Sequence, residues 1–313
     1  MGTRIALFGQ GAFGRDCLDR LRADGYEIAG VLAPPDVGKP DPFAARAEEL
    51  GLRVLRRRFF RTREGKAIPA AVAEHARLGA DLNVLAFMTA LLPREIIGAP
   101  RHGSVCFHPS LLPKYRGGNA LAWQVILGER ESGVSVFAVD EGTDTGPIVV
   151  QKGGVAIEPH DSAGTLYFQK LYPLGVEAVV DAVRLIDTGR AQPRVQDEAR
   201  ASFQRLVDDS VARVDLTRPA AEVDCLVRGC DPQPGAFVRV RGEMLRLFDA
   251  WLEPTTHTAP PGTVLSVDGE ALRLALAGGV QRVARVGAPG AKEPAKTFAE
   301  RAGLRAGDRV ESG

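Results

Sequence analysis

The 313-residue sequence predicts an α/β protein: a doubly wound, mostly parallel sheet followed by a smaller β-rich domain. Three observations carry that reading. Short apolar runs alternate with stretches of helical spacing as far as Asp144. Residues 190–202 are then polar and read as a linker. From Phe203 onward, short alternating runs are separated by Gly and Pro turns, the pattern of a small barrel. The length exceeds what one small core needs, so two domains are expected, 1–203 and 204–313.

Residues 4–8 (RIALF) form a first buried strand, and Phe13, Cys17, Leu18 and Leu21 give residues 13–23 helical spacing. Residues 28–32 are a second strand, closed by Pro34 and Pro35. A helix is predicted over 42–50, a brief strand over 53–55 and a helix over 68–78. Residues 81–87 (DLNVLAF) and 104–107 are strands, 121–127 a helix, and 134–139 a strand entering the loop of Asp144. In doubly wound sheets ligands gather beyond the carboxyl ends of strands. Phe87, His108 and Asp144 each follow one, so a shared crevice is expected. Asp161-Ser162 offers an N-cap for a helix reaching Leu171, and Pro173 opens a second helix that Gly189 closes. In the second domain, residues 237–241, 245–248, 263–267 and 272–276 read as strands and 219–228 as a helix.

The 40 basic and 39 acidic residues leave a net charge of +1, so no bulk field recruits nucleic acid or membrane. The four cysteines (Cys17, Cys106, Cys225, Cys230) lack C-x-x-C or Cys/His ligand spacing, so neither disulfides nor a metal site is expected. The N-terminus reads as a strand, not a signal peptide, and no apolar run approaches the ~20 residues of a membrane span. A cytoplasmic protein is expected.

Gly9-Gln10-Gly11-Ala12-Phe13-Gly14 matches the dinucleotide pattern G-x-G-x-x-G between a strand and a helix. That fingerprint also needs an acid at the end of the second strand for the ribose hydroxyls. Here the strand ends in Val31-Leu32-Ala33-Pro34-Pro35, so the glycines are read as a tight turn with close packing, and NAD is not expected.

The most distinctive stretch is SVCFHPSLLPKYRGG, residues 104–118. A strand ends in His108, and two prolines and two glycines then stiffen and bend the loop. A titratable group aimed by a strand suits acid/base work. Asp144 is its candidate partner, or a turn residue in Gly-Thr-Asp-Thr-Gly. Cys106 shares the strand face of His108, either as a thiolate activated by it or as a small buried hydrophobe. Lys114, Tyr115 and Arg116 bind an anionic substrate group or form a solvated loop.

These residues resemble the signature of the folate-dependent formyltransferases, close to N-x-H-x-S-L-L-P-[KR]-x-x-G with a downstream acidic, glycine-bearing turn. The chain has Cys106-Phe107-His108-Pro109-Ser110-Leu111-Leu112-Pro113-Lys114-Tyr115-Arg116-Gly117, then Asp140-Glu141-Gly142-Thr143-Asp144-Thr145-Gly146. Over roughly residues 3–290 it resembles above all the amino-terminal hydrolase domain of 10-formyltetrahydrofolate dehydrogenase, and it is also similar to methionyl-tRNA formyltransferase. Gly79 to Leu85, Ala99 to Ser104, Leu166-Tyr167, Ala182 to Ile186, Arg228-Gly229 and Pro234-Gly235-Ala236 carry the longer likeness.

The resemblance implies a Rossmann-like domain followed by an OB-like open barrel, with 10-formyltetrahydrofolate as formyl donor and no metal. It places the pterin against Phe87, Met88 and Leu91 and against Val139, Asp140, Glu141 and Gly142. His108 is then the general acid/base and Asp144 the group that orients it and favours its imidazolium. Lys114 and Arg116 would guide an anionic acceptor or the folate tail. One departure matters: the transferases carry Asn where this chain has Cys106, and losing such an oxyanion donor typically costs ~3 kcal/mol of transition-state stabilisation. The hydrolase domain lacks that Asn too. The implied acceptor is therefore water or a small amine or thiol, with a separate carrier protein as a further partner. Transfer to tRNA is less expected, because residues 205–313 carry 15 basic and 15 acidic side chains and show no basic face.

Overall fold

The structure, a computed structural model, describes residues 2–88, 90–269, 271–288 and 290–313. The chain forms two compact units. The first comprises Met1–Gly117, Gly133–Gly153 and Leu171–Phe203; the second comprises Gly118–Ser132, Gly154–Lys170 and Gln204–Gly313.

The first unit is built on β1 (Arg4–Gly9), β2 (Glu27–Ala33), β3 (Val54–Arg56), β4 (Leu82–Ala86), β5 (Ser104–His108), β6 (Glu131–Ala138) and β7 (Ile148–Ala156), in the order β3-β2-β1-β4-β5-β6-β7. The pairings β2–β3, β1–β2, β1–β4 and β4–β5 are parallel, whereas β5–β6 is antiparallel. The parallel strands are apolar along both faces because helices cover both. Ala6 and Phe8 share a buried cluster with Ala71 of α3 (Pro69–Ala76) and Ile96 of α4 (Arg94–Ile97).

The opposite face meets α1 (Gly11–Ala23) and α2 (Pro42–Glu49). The approach there is close: a Cβ on Gly9 would stand 2.7 Å from the Ala86 carbonyl oxygen and 3.3 Å from Gly14 Cα. The glycine loop is thus explained by packing. Asp41 accepts from Phe43 N and Ala44 N, capping α2, and its Oδ2 also accepts from Gly11 N at 2.7 Å. A carboxylate of the chain itself occupies an amide that a dinucleotide phosphate would use.

The strand β7 was not legible in the sequence. It lies at the sheet edge, half-exposed, and contains Gly153 and Gly154. The helix predicted to run from Ser162 to Leu171 is instead a single turn of α-helix, Ala163–Thr165, followed by π-helix: Ser162 and Thr165 form a reciprocal capping box, and Leu166–Leu171 is π-helical. Pro173 lies in the first turn of the long helix Tyr172–Asp187.

The second unit contains α5 (Ala120–Ile126), α6 (Ala163–Thr165) and α8 (Ala220–Gly229), the helix Tyr172–Asp187 being α7. Its sheet comprises β8 (Ala236–Val240), β9 (Glu243–Glu253), β10 (Val264–Asp268), β11 (Ala271–Leu276), β12 (Gly279–Ala288), β13 (Ala291–Pro294) and β14 (Glu311–Ser312), and α9 (Ala295–Ala302) follows β13. The order is β10-β11-β12-β9-β8-β14, with β13 on β12 and every described pairing antiparallel, giving a strand-rich half-barrel. Val223 and Val227 of α8 bury against Leu247, Leu274 and Val283. Among the described residues no helix is long and apolar enough to cross a membrane, and no cluster of metal-ligating side chains stands together.

Candidate active site

The parallel register of β4 and β5 sets Leu85 level with Cys106, so Phe87 and His108 leave the sheet side by side. Asp144 arrives differently from the expectation. β6 is antiparallel, with Ala138 level with Val105, so no parallel strand end carries Asp144 to the crevice. The turn after β6 brings it back. That turn is tight: Ala138 N donates to Pro147 O at 2.8 Å, and a Cβ on Gly146 would stand 1.7 Å from the Ala138 carbonyl oxygen.

His108 is buried, and its two ring nitrogens have different surroundings. Nε2 lies 2.8 Å from the Tyr115 carbonyl oxygen, which only accepts, so Nε2 carries a proton. Nδ1 faces Asp144 Oδ2 at 3.5 Å. In the neutral ring Nδ1 is therefore the unprotonated atom, and it is the one that can take up or return a proton. Burial pushes His108 below the ordinary histidine range, while Asp144 and then the Tyr115 carbonyl pull it upward. The pair is thus set for a base that is neutral at rest and whose cation has a carboxylate waiting.

Asp144 is held by two hydrogen bonds. Its Oδ2 accepts from Gly117 N at 2.7 Å and its carbonyl accepts from Gln196 Nε2 at 2.9 Å, while its φ of 57° is left-handed. Tyr115 (φ 62°) and Phe87 (φ 59°) are left-handed as well. Non-glycine residues in this region cost on the order of 1–3 kcal/mol each and persist where surrounding structure fixes them. The loop carrying Tyr115 is fixed by Ser135, whose Oγ donates to Ser110 O at 2.7 Å, and by Tyr115 N donating to Ser202 Oγ at 2.8 Å.

Cys106 packs against the buried cluster of Leu112, Phe137 and Ile148. Burial, and secondarily the charge of Asp144, raises its thiol far above the ordinary range. It is a protonated, weakly donating group here, not a thiolate. Arg116, expected at an anionic substrate, is buried and turned inward. Its guanidinium donates to Gln196 Oε1 at 3.2 and 2.9 Å and to Glu198 at 2.9 and 2.6 Å. Lys114 is exposed, and Tyr115 contributes its backbone to the site.

The segments expected to hold a pterin lie together. Met88 and Val139 pack against one apolar cluster, and Arg94, at the start of α4, pairs with Glu141 of the turn after β6. Phe87 is 37 % exposed and Leu91 65 %, so apolar surface is presented beside the polar turn. Within that turn Asp140 Oδ1 accepts from Gly142 N at 3.0 Å and from Thr145 Oγ1 at 2.7 Å. Met88 also borders an open cleft of about 700 Å³ at the carboxyl ends of β1 to β4, lined by Gln10, Lys39, Arg58 and Phe60 among others. Sequence reasoning missed Gln196, Glu198 and Ser202 altogether, since they fall in the stretch read as linker.

Residues 3–183 match the family described as "Formyl transferase", and residues 207–302 match "Formyl transferase, C-terminal domain". The chain is 39% identical over 267 residues to the cytosolic 10-formyltetrahydrofolate dehydrogenase of Homo sapiens, a match covering 85% of this chain and 29% of that protein. The chain thus spans under a third of those dehydrogenases. It is 34% identical over 314 residues to the methionyl-tRNA formyltransferase of Roseiflexus castenholzii, covering 97% of each. Among solved structures, HypX from Aquifex aeolicus in complex with tetrahydrofolic acid superposes with a TM-score of 0.71 at 21% identity, over 96% of this chain and 47% of that one. That last likeness is one of fold.

Proposed function

We propose, from the premise that this chain belongs to the formyl transferase family, that it removes the formyl group of 10-formyltetrahydrofolate and passes it to water or a small amine or thiol. The observation that carries the reading is the His108–Asp144 arrangement, with one nitrogen locked as a donor and the other turned to a carboxylate. With water as acceptor, the water oxygen attacks the formyl carbon while Nδ1 of His108 takes its proton. Asp144 stabilises the imidazolium so formed. The proton then passes from Nδ1 to N10 of the folate, the C–N10 bond breaks, and formate and tetrahydrofolate leave. Phe87, Met88 and Leu91 with residues 139–142 are the proposed pterin pocket, their apolar exposure suiting a flat ring.

Cys106 favours a small acceptor. A half-buried, protonated thiol is a weak donor, so the developing oxyanion depends on the imidazolium in its place. A second reading, formylation of methionyl-tRNA, is favoured by the similarity of that transferase over 97% of this chain. The equal numbers of basic and acidic side chains in residues 205–313, 15 of each, weigh against it.

The test mixes the protein with 10-formyltetrahydrofolate and follows tetrahydrofolate release, alone and with candidate amines, thiols and methionyl-tRNA. Release with water or a small acceptor is expected, with His108→Ala at background. Equal background rates for both proteins under every condition would overturn the reading; release only with methionyl-tRNA would establish the second.

A further inference from the structure

We propose that Gln196 is a positioning residue, held by Arg116 and Glu198, that fixes the backbone of Asp144 and so the carboxylate's place beside His108. The proposal rests on the reading of His108 and Asp144 as the acid/base pair.

The first observation is the completeness of Gln196's bonding. It is 5% exposed, and its amide can make four hydrogen bonds. Nε2 donates to Asp144 O at 2.9 Å and Gly146 O at 2.7 Å. Oε1 accepts from Arg116 Nε at 3.2 Å and Nη2 at 2.9 Å. All four positions are filled. The amide orientation is fixed as well, since the guanidinium has no acceptor and the two carbonyls have no donor.

The second observation is that the segment bearing Gln196 is fastened at both ends. Arg194 and Ile148 exchange backbone hydrogen bonds at 2.8 Å in each direction, tying one end to β7. At the other end Arg116 N donates to Ser202 O at 2.8 Å and Ser202 N to Pro113 O at 3.2 Å. Gln196 lies between these anchors and reaches the two carbonyls that flank the left-handed Asp144 turn. Without those bonds, Gly117 N is the remaining described hydrogen bond to Asp144.

The charged neighbourhood is small. Asp144 faces His108 from the turn after β6, and Cys106, protonated, lies on His108's own strand. Arg116 senses Asp140 and Asp144 but is neutralised chiefly by Glu198. A displaced Asp144 therefore leaves burial opposed by the Tyr115 carbonyl alone, and the protonation midpoint of His108 falls.

The experiment compares wild type with Gln196→Ala and Gln196→Met. The methionine keeps the length and volume, has no N–H to give and adds no charge. His108 is titrated by NMR of [15N]histidine-labelled full-length protein without folate, its signals assigned with His108→Gln, and kcat and KM for tetrahydrofolate release are measured in parallel. Both variants are expected to lower the His108 midpoint, and to lower kcat by about 10- to 100-fold with KM within about twofold, as small misplacements of a reacting group do. Should Gln196→Ala fail to fold, Gln196→Met supplies the same readouts. An unchanged His108 midpoint in the folded variants overturns the proposal, even if kcat falls. If the midpoint falls but wild type releases no tetrahydrofolate, the deformylation reading fails and the positioning role stands.

Discussion

Asp144→Asn isolates the charge beside His108 from the shape of the turn. The amide oxygen can still accept from Gly117 N, which Asp144 Oδ2 now does at 2.7 Å, and the backbone bond to Gln196 is untouched. What is lost is the attraction between the carboxylate and an imidazolium whose Nδ1 is 3.5 Å away. At an effective dielectric of about 20, Coulomb's law puts that attraction near 5 kcal/mol as an upper figure. Loss of half of it slows any step passing through the imidazolium by on the order of 10²-fold. The assay is tetrahydrofolate release at saturating 10-formyltetrahydrofolate across about pH 5 to 8, a window that reaches below the ordinary histidine range, with a thermal melt to confirm folding. The acid limb of the rate profile also moves to lower pH, because Asp144 raises the proton affinity of His108. A variant that keeps more than about half of wild-type kcat with an unmoved profile refutes the electrostatic role.

Gly146→Ala places a methyl group 1.7 Å from the Ala138 carbonyl oxygen, so the turn must move; a loss of about 1–3 kcal/mol in urea unfolding is expected, and an unshifted midpoint would contradict it. Cys106→Asn supplies the missing amide donor and is expected to raise formyl transfer to amines relative to water, measured as the ratio of formylated amine to formate. His75 is buried, with Nε2 2.7 Å from Asn83 Oδ1, and burial pushes it below the ordinary histidine range. A histidine held neutral in the fold stabilises above its unfolded pKa of about 6.5 and loses that contribution as pH falls toward its folded value. His75→Gln should therefore flatten the drop in urea midpoint between about pH 7 and 5, and an equally steep drop would exclude His75 as its source.

The parallel half of the sheet was legible because strands covered on both faces are nearly continuous apolar runs, as in Ile5 to Phe8 and, but for Asn83, Leu82 to Ala86. His108 stood out for chemistry and rigid context together. The direction of β6 was not legible, since the alternation of Val134 to Ala138 is the same whichever way the strand runs. Nor was the inward turn of Arg116: its partners Gln196 and Glu198 lie about 80 positions away in a stretch with no periodicity. The expected parallel strand end was thus the wrong route to Asp144, and hydrogen bonds of long sequence separation are the right one. In the second unit the phase of buried residues along β9 changes between Leu247 and Phe248, beside Asp249 at φ 47°, which breaks simple alternation. The β12 run, interrupted by Arg282, Arg285 and Gly287, hid for a similar reason.

The carbonyl of Tyr115 has a geometric consequence for the proposed reaction. With Nε2 committed to that oxygen, Nδ1 must both relieve the attacking group of its proton and deliver one to the departing amine. Acceptor and folate N10 must then sit on one side of the ring, both within reach of a single atom, at successive moments. Chemistry of this kind has one proton in flight at a time, and its rate in mixtures of light and heavy water should vary linearly with deuterium content. An acceptor too bulky to share that edge with the folate is excluded by geometry, whatever its affinity.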